Sequence, residues 1–104
     1  MKIIALILLA FVSLTAVAQQ NCRPQLLKAV QVIYPDSARV AGVEGVVYVE
    51  IRIGKDGLVK KATVTKSDNK LLNKAAVNAV VRYVFESMDY ECSATIPVRF
   101  ELKQ

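Results

Sequence analysis

The chain has 104 residues, 14 basic and 9 acidic side chains, a formal charge of +5 and no histidine. This length holds one domain, and the missing imidazole removes Ser-His-Asp and Cys-His catalysis. The cations are dispersed, with Lys60-Lys61 the one adjacent pair, so no basic stripe for nucleic acid exists. No acidic pair stands in a recognisable catalytic setting, and no cluster has metal-ligand spacing. The composition therefore argues against an enzyme, a small-molecule substrate, a metal or a cofactor.

Lys2, the apolar run from Ile3 and the small-x-small Ala16-Val17-Ala18 before Gln19 have the anatomy of a signal peptide. Residues 1–18 are read as that signal, cleaved after Ala18 to leave a periplasmic protein. The alternative is an inner-membrane anchor over residues 3–18, a run of 16 residues. A spanning helix needs about 20. Gln20 and Asn21 ahead of Cys22 are not the small residues that precede a lipidated cysteine. Losing the signal removes Lys2 alone and takes the charge from +5 to +4. About 86 residues remain, enough for a real but marginal core.

Export carries Cys22 and Cys92 to an oxidising space, where disulfides persist. A bridge between them closes a loop of roughly 70 residues, credited with about 4 kcal/mol by the chain-entropy model. Two free thiols and a bridge between chains are the alternatives.

Residues 19–33 read as an N-terminal arm packed on a domain of residues 34–104, with a turn of helix or an extended piece. Tyr34-Pro35 fixes the start of a short helix over 36–41, since Pro35 disfavours helix before it. Asp36 offers a cap, and Gly42 suits the C-terminal end. Gly45 is read as a site of close packing or a bulge. Val47, Val49, Ile51 and Ile53 then alternate with Tyr48, Glu50 and Arg52, the pattern of a strand with one buried face. Lys55-Asp56-Gly57 is a turn signal, with Gly57 taking the left-handed conformation. The returning strand, about 58–66, is expected to bury Leu58, Ala62 and Val64 and to turn the stem of Lys60 inward.

Ser67-Asp68-Asn69 supplies capping oxygens for a helix over about 70–84, with an apolar stripe of Leu72, Ala76, Ala79, Val80 and Tyr83. Residues from Phe85 to Glu91 read as a loop. The last strand, Ala94 to Leu102, alternates Ile96, Val98, Phe100 and Leu102. Pro97 inside it cannot donate to a ladder, which places this strand at an edge with position 97 facing outward. A helix connects the second strand to the third, so these two run parallel. The fold class is therefore α+β: a three-stranded antiparallel sheet, order 2-1-3, against two helices.

Tyr34-Pro35, Gly42-Val43-Glu44-Gly45-Val46-Val47, Asp56-Gly57-Leu58-Val59, the helix with Ala75-Ala76 and Ala79-Val80 ahead of Phe85, and Pro97-Val98-Arg99-Phe100-Glu101-Leu102 follow one another in order. Together they resemble the TonB C-terminal domain, over about residues 30–102. The resemblance implies a periplasmic module that binds a segment of an outer-membrane receptor as an added strand along the last strand. Carried over by position, the partner surface is Ser93, Thr95, Pro97, Arg99 and Glu101, with a homodimer through the same edge as a second arrangement. Tyr34, Pro35, Gly45, Asp56, Gly57 and Phe85 are the matching structural positions. Full TonB joins its anchor to the domain through a long Pro-rich spacer; here the domain begins a few residues after the signal without one, so the expectation is a stand-alone secreted domain. Phe85-Glu86-Ser87-Met88 also departs from the family's Pro-Ala after the phenylalanine. The competing function is a structural or inhibitor-like secreted domain that inserts Met88-Asp89-Tyr90 into a target.

Overall fold

A computed structural model of the chain describes residues 22–103. The signal-peptide reading of residues 1–18 therefore falls outside the described residues. The elements run β1 (Leu26–Lys28), α1 (Asp36–Val40), β2 (Gly45–Ile53), β3 (Val59–Ser67), a 3-10 turn (Lys70–Leu72), α2 (Asn73–Val80), β4 (Val84–Phe85) and β5 (Cys92–Phe100). The main sheet has the order β3-β2-β5, and both pairings to β2 are antiparallel. The fold is the α+β arrangement expected from the sequence, and the Pro97 strand lies at an edge.

The alternation in β2 decides where the core sits. Val47, Val49, Ile51 and Ile53 are wholly buried, and Leu72, Ala76, Ala79 and Val80 of the helical segment cover them. Small alanines let α2 approach the sheet closely, and Val98 and Phe100 of β5 complete the layer. Tyr34 meets the Phe100 ring edge-on at 5.6 Å, while its hydroxyl donates to the Val43 carbonyl. Burial pushes the Tyr34 phenol above its ordinary pKa, and the nearby Glu44 charge adds to the shift. Val43 N–H to Ala38 O (2.9 Å) and Gly42 N–H to Arg39 O (3.1 Å) close α1, with Gly42 at φ 69°.

Several local expectations are corrected. Asp36 does not cap α1; it lies in the first turn and pairs with Arg39, and Pro35 occupies the cap position. Lys60 is not turned inward, and Leu58 is 44% exposed. The register passes from Arg52 opposite Lys61 to Ile53 opposite Val59, so Lys60 is the extra residue of a bulge. That shift brings Val59 to the core and leaves the Lys60 ammonium 2.9 Å from the Asp56 carboxylate. A second irregularity skips Thr65 between Lys66 and Val64.

The long helix is also shorter than its stripe suggested. Asn69 accepts from Leu71 N–H at 2.9 Å and starts a 3-10 turn, and α2 stops at Val80. Val84 and Phe85 are extended, not helix and loop, and pair with Leu26–Lys28. Val80-Val81-Arg82-Tyr83-Val84-Phe85 is rich in β-branched and aromatic side chains, which favour a pleated surface once tertiary partners exist. The arm supplies that partner. Phe85 donates to Gly57 O at 2.9 Å and Glu86 to Gln25 O at 2.9 Å. The last strand starts earlier and ends earlier than expected, with Leu102 N–H bonded to Glu44 Oε2 at 2.7 Å.

The turn residues generate two predictions. Gly57 has φ 83°, and a Cβ there would run into the Phe85 carbonyl, whereas Gly42 has positive φ but open space around it. Gly57→Ala should cost more than Gly42→Ala, whose loss of about 1 kcal/mol is the left-handed strain alone, in denaturant titrations of the two variants. Hydrogen bonds from the Lys60 ammonium, then from Leu58 N–H, hold the Asp56 carboxyl below its ordinary pKa. A lowered folded-state pKa gives stability that is present above the unfolded value, about 3.9, and is lost as pH falls through the folded value. Asp56→Asn should therefore be less stable than the parent at pH 7, with the gap closing below about pH 4 in thermal melts.

Candidate functional site: the open edge of the last strand

The directions of the β5 main chain follow from its neighbours. Asp68 occupies both hydrogen-bonding groups of Val46: its N–H donates to Val46 O at 3.1 Å, and its carboxylate accepts from Val46 N–H at 2.9 Å. Val46 thus faces β3, and Arg99 opposite it makes no ladder bond toward β2. Because antiparallel pairs alternate, the main chains of Ser93, Thr95 and Pro97 turn outward with that of Arg99. One outward bond is seen directly, from Cys22 N–H to Ser93 O at 3.2 Å. Pro97 falls on the outward set, opposite Tyr48, where its missing N–H costs the sheet nothing. Past Ser93, no strand of the described residues lies along this edge.

The structure divides the candidate residues. Thr95, Pro97, Arg99 and Glu101 are exposed, but Ser93 is only 6% exposed. Glu101 lies just past the end of β5. On the helix-side face, Ala94 and Ile96 are half-buried at the margin of the core. Beside Pro97 the row continues through Tyr48 to Lys66, whose ammonium sits 5.9 Å from the ring centre. A strand laid along β5 would meet apolar margin on one face and a mixed polar row on the other.

Cys22 and Cys92 are bonded, with Cα atoms 5.7 Å apart across 70 residues of sequence. This bridge ties the arm to the first residue of β5. The role of the Cys22 main chain was not visible in the sequence, although the cysteine pairing pointed to the neighbourhood. Nor was that of Asp68, which looked like one more capping residue. Asn69 makes the cap instead, while Asp68 orients Val46, and its Cβ lies where a side chain on Gly45 would go, 2.7 Å away.

The loop read as an insertion element is tied down: Met88 N–H bonds Lys55 O at 2.9 Å, and its sulfur lies 3.7 Å from Cys92 Sγ. Among the described residues no group of three or more acids and cysteines could hold a metal ion. No described helix is long and apolar enough to cross a membrane.

The family model described as Gram-negative bacterial TonB protein C-terminal matches residues 30–102. The chain belongs to this family. Protein TonB of Helicobacter pylori strain J99 is 35% identical over 74 residues, 68% of this chain and 26% of the relative. Its counterpart in strain 26695 is 34% identical over 74 residues, with the same coverage of 68% and 26%. This chain thus spans about a quarter of the length of the curated relatives it matches. The solution NMR structure of the Pseudomonas aeruginosa TonB CTD superposes with a TM-score of 0.64 at 23% identity, covering 77% of this chain and 87% of that one. That likeness shows the fold. For a TonB C-terminal domain the sequence match also covers the turn, the helix and the last strand that set up the open edge.

The bridge leads to a prediction about stability. Removing it as Cys22→Ser/Cys92→Ser should cost about 2–5 kcal/mol, read from urea unfolding of the double variant beside the oxidised parent. A loss under 1 kcal/mol would mean that the arm is held by its main-chain bonds alone.

Proposed function

We propose that this protein is a periplasmic binding module that takes up an extended segment of an outer-membrane receptor as a strand along β5, in TonB-dependent transport. The observation that carries the reading is the outward main chain at Thr95, Pro97 and Arg99, on an edge that no described strand covers. Strand addition draws affinity from main-chain hydrogen bonds and selectivity from alternate side-chain sites. It requires no reactive side chain, in keeping with a chain that has no histidine. Membership of the TonB C-terminal family supplies the class of partner. The signal reading of residues 1–18 supplies the compartment.

A titration of the oxidised, 15N-labelled protein with peptides from the N-terminal segments of outer-membrane receptors of the same cell tests the proposal. Amide shifts and slowed exchange concentrated from Thr95 to Arg99 are expected. Well-dispersed spectra that stay unchanged across the peptide set would remove it. Concentration-dependent shifts at the same amides without peptide would move the reading to a homodimer through this edge.

A further inference from the structure

We propose that the disulfide-held arm is a fixed stop on the β5 edge, so that the protein accepts short guest strands across Thr95–Arg99 and refuses longer ones. This inference rests on the strand-addition reading and adds a limit to it. The stop is built at several points. Cys22 N–H already fills the Ser93 carbonyl at 3.2 Å, and the bridge fixes Cys22 to the neighbouring residue, Cys92. Further along, Gln25 O takes Glu86 N–H at 2.9 Å, and Leu26–Lys28 pairs with β4. Opening one hydrogen bond therefore does not let the arm swing away, and Ser93 stays buried.

The opposite end is set by the strand itself: β5 stops at Phe100, and beyond it Leu102 N–H is held on the β2 side by Glu44 Oε2 at 2.7 Å. Between the two ends lie the outward groups of Thr95, Pro97 and Arg99. They supply carbonyls at all three positions and N–H groups at Thr95 and Arg99 only, because Pro97 has none. At about 3.3 Å per residue, the five positions from 95 to 99 span about 13 Å. The guest that fits is a segment of about five residues that donates its own N–H opposite each of the three carbonyls. A guest proline opposite any of them removes a bond that the edge is built to accept.

The experiment takes a receptor N-terminal peptide that shifts β5 in the titration above, trimmed to five residues and extended to nine toward the Ser93 end. With the oxidised protein, the two should bind within about threefold of each other, with a footprint confined to Thr95–Arg99 and Cys22 N–H protected from exchange throughout. In Cys22→Ser/Cys92→Ser the nine-residue peptide should gain about tenfold over the five-residue one, as added main-chain bonds form, and its footprint should reach Ser93. If the double variant does not fold, the oxidised protein still decides. A nine-residue peptide that binds it tenfold tighter, with loss of Cys22 protection, overturns the stop. Equal gains in both proteins overturn it as well. Should no peptide of either length move β5 while Cys22 stays protected, strand addition itself fails, and the limit falls with it.

Discussion

The burial of one face of β2 is the constraint on which everything else depends. Val47, Val49, Ile51 and Ile53 are removed from water along a single strand, and each buried side chain of this size contributes about 1.5–3 kcal/mol. A strand so apolar on one face must be central, with pairing on both sides and a helix laid over it. In a three-stranded sheet that requirement leaves both flanking strands as edges. The candidate surface is thus a by-product of the core: once β2 is in the middle, β5 is an edge.

That edge consists of main chain, which explains why no catalytic or ligand-binding signature accompanies it. Its orientation is set at a distance by Asp68, which engages both polar groups of Val46 and fixes which residues of β5 turn outward. Tyr34, packed on Phe100 and bonded to the Val43 carbonyl, holds the segment ahead of β2 against the far end of β5. Side chains that never reach the edge thereby decide what it offers.

Much of this was legible in the residues. Strict alternation gave β2 its faces, Pro97 gave β5 its position, and the helical connection gave the strand order. What failed to show did so for physical reasons. The bulge at Lys60 sets Val59 against the core and Lys60 beside Asp56, a tertiary choice that a period of two cannot express. The stretch from Val80 to Phe85 continues an apolar stripe, so helix and strand are equally readable until the arm appears as a pairing partner. The stop at Ser93 involves the backbone of Cys22, and a main-chain bond leaves no mark in composition or spacing. Ser93 entered the expected surface by its position in the family pattern, which carries no information on the cover upon it.

The irregularities in β3 have a consequence for assembly. A sheet with two unlike edges could stack head to tail, the β5 edge of one molecule on the β3 edge of the next, and such contacts grow into filaments unless their rotation closes a ring. The β3 edge is broken at Lys60 and again at Thr65, and Lys60, Lys61 and Lys66 stand exposed along it. Bulges and lysines are the devices that make an edge a poor template. The molecule therefore keeps one open side and one repellent side, a polarity that works against its becoming the seed of its own polymer.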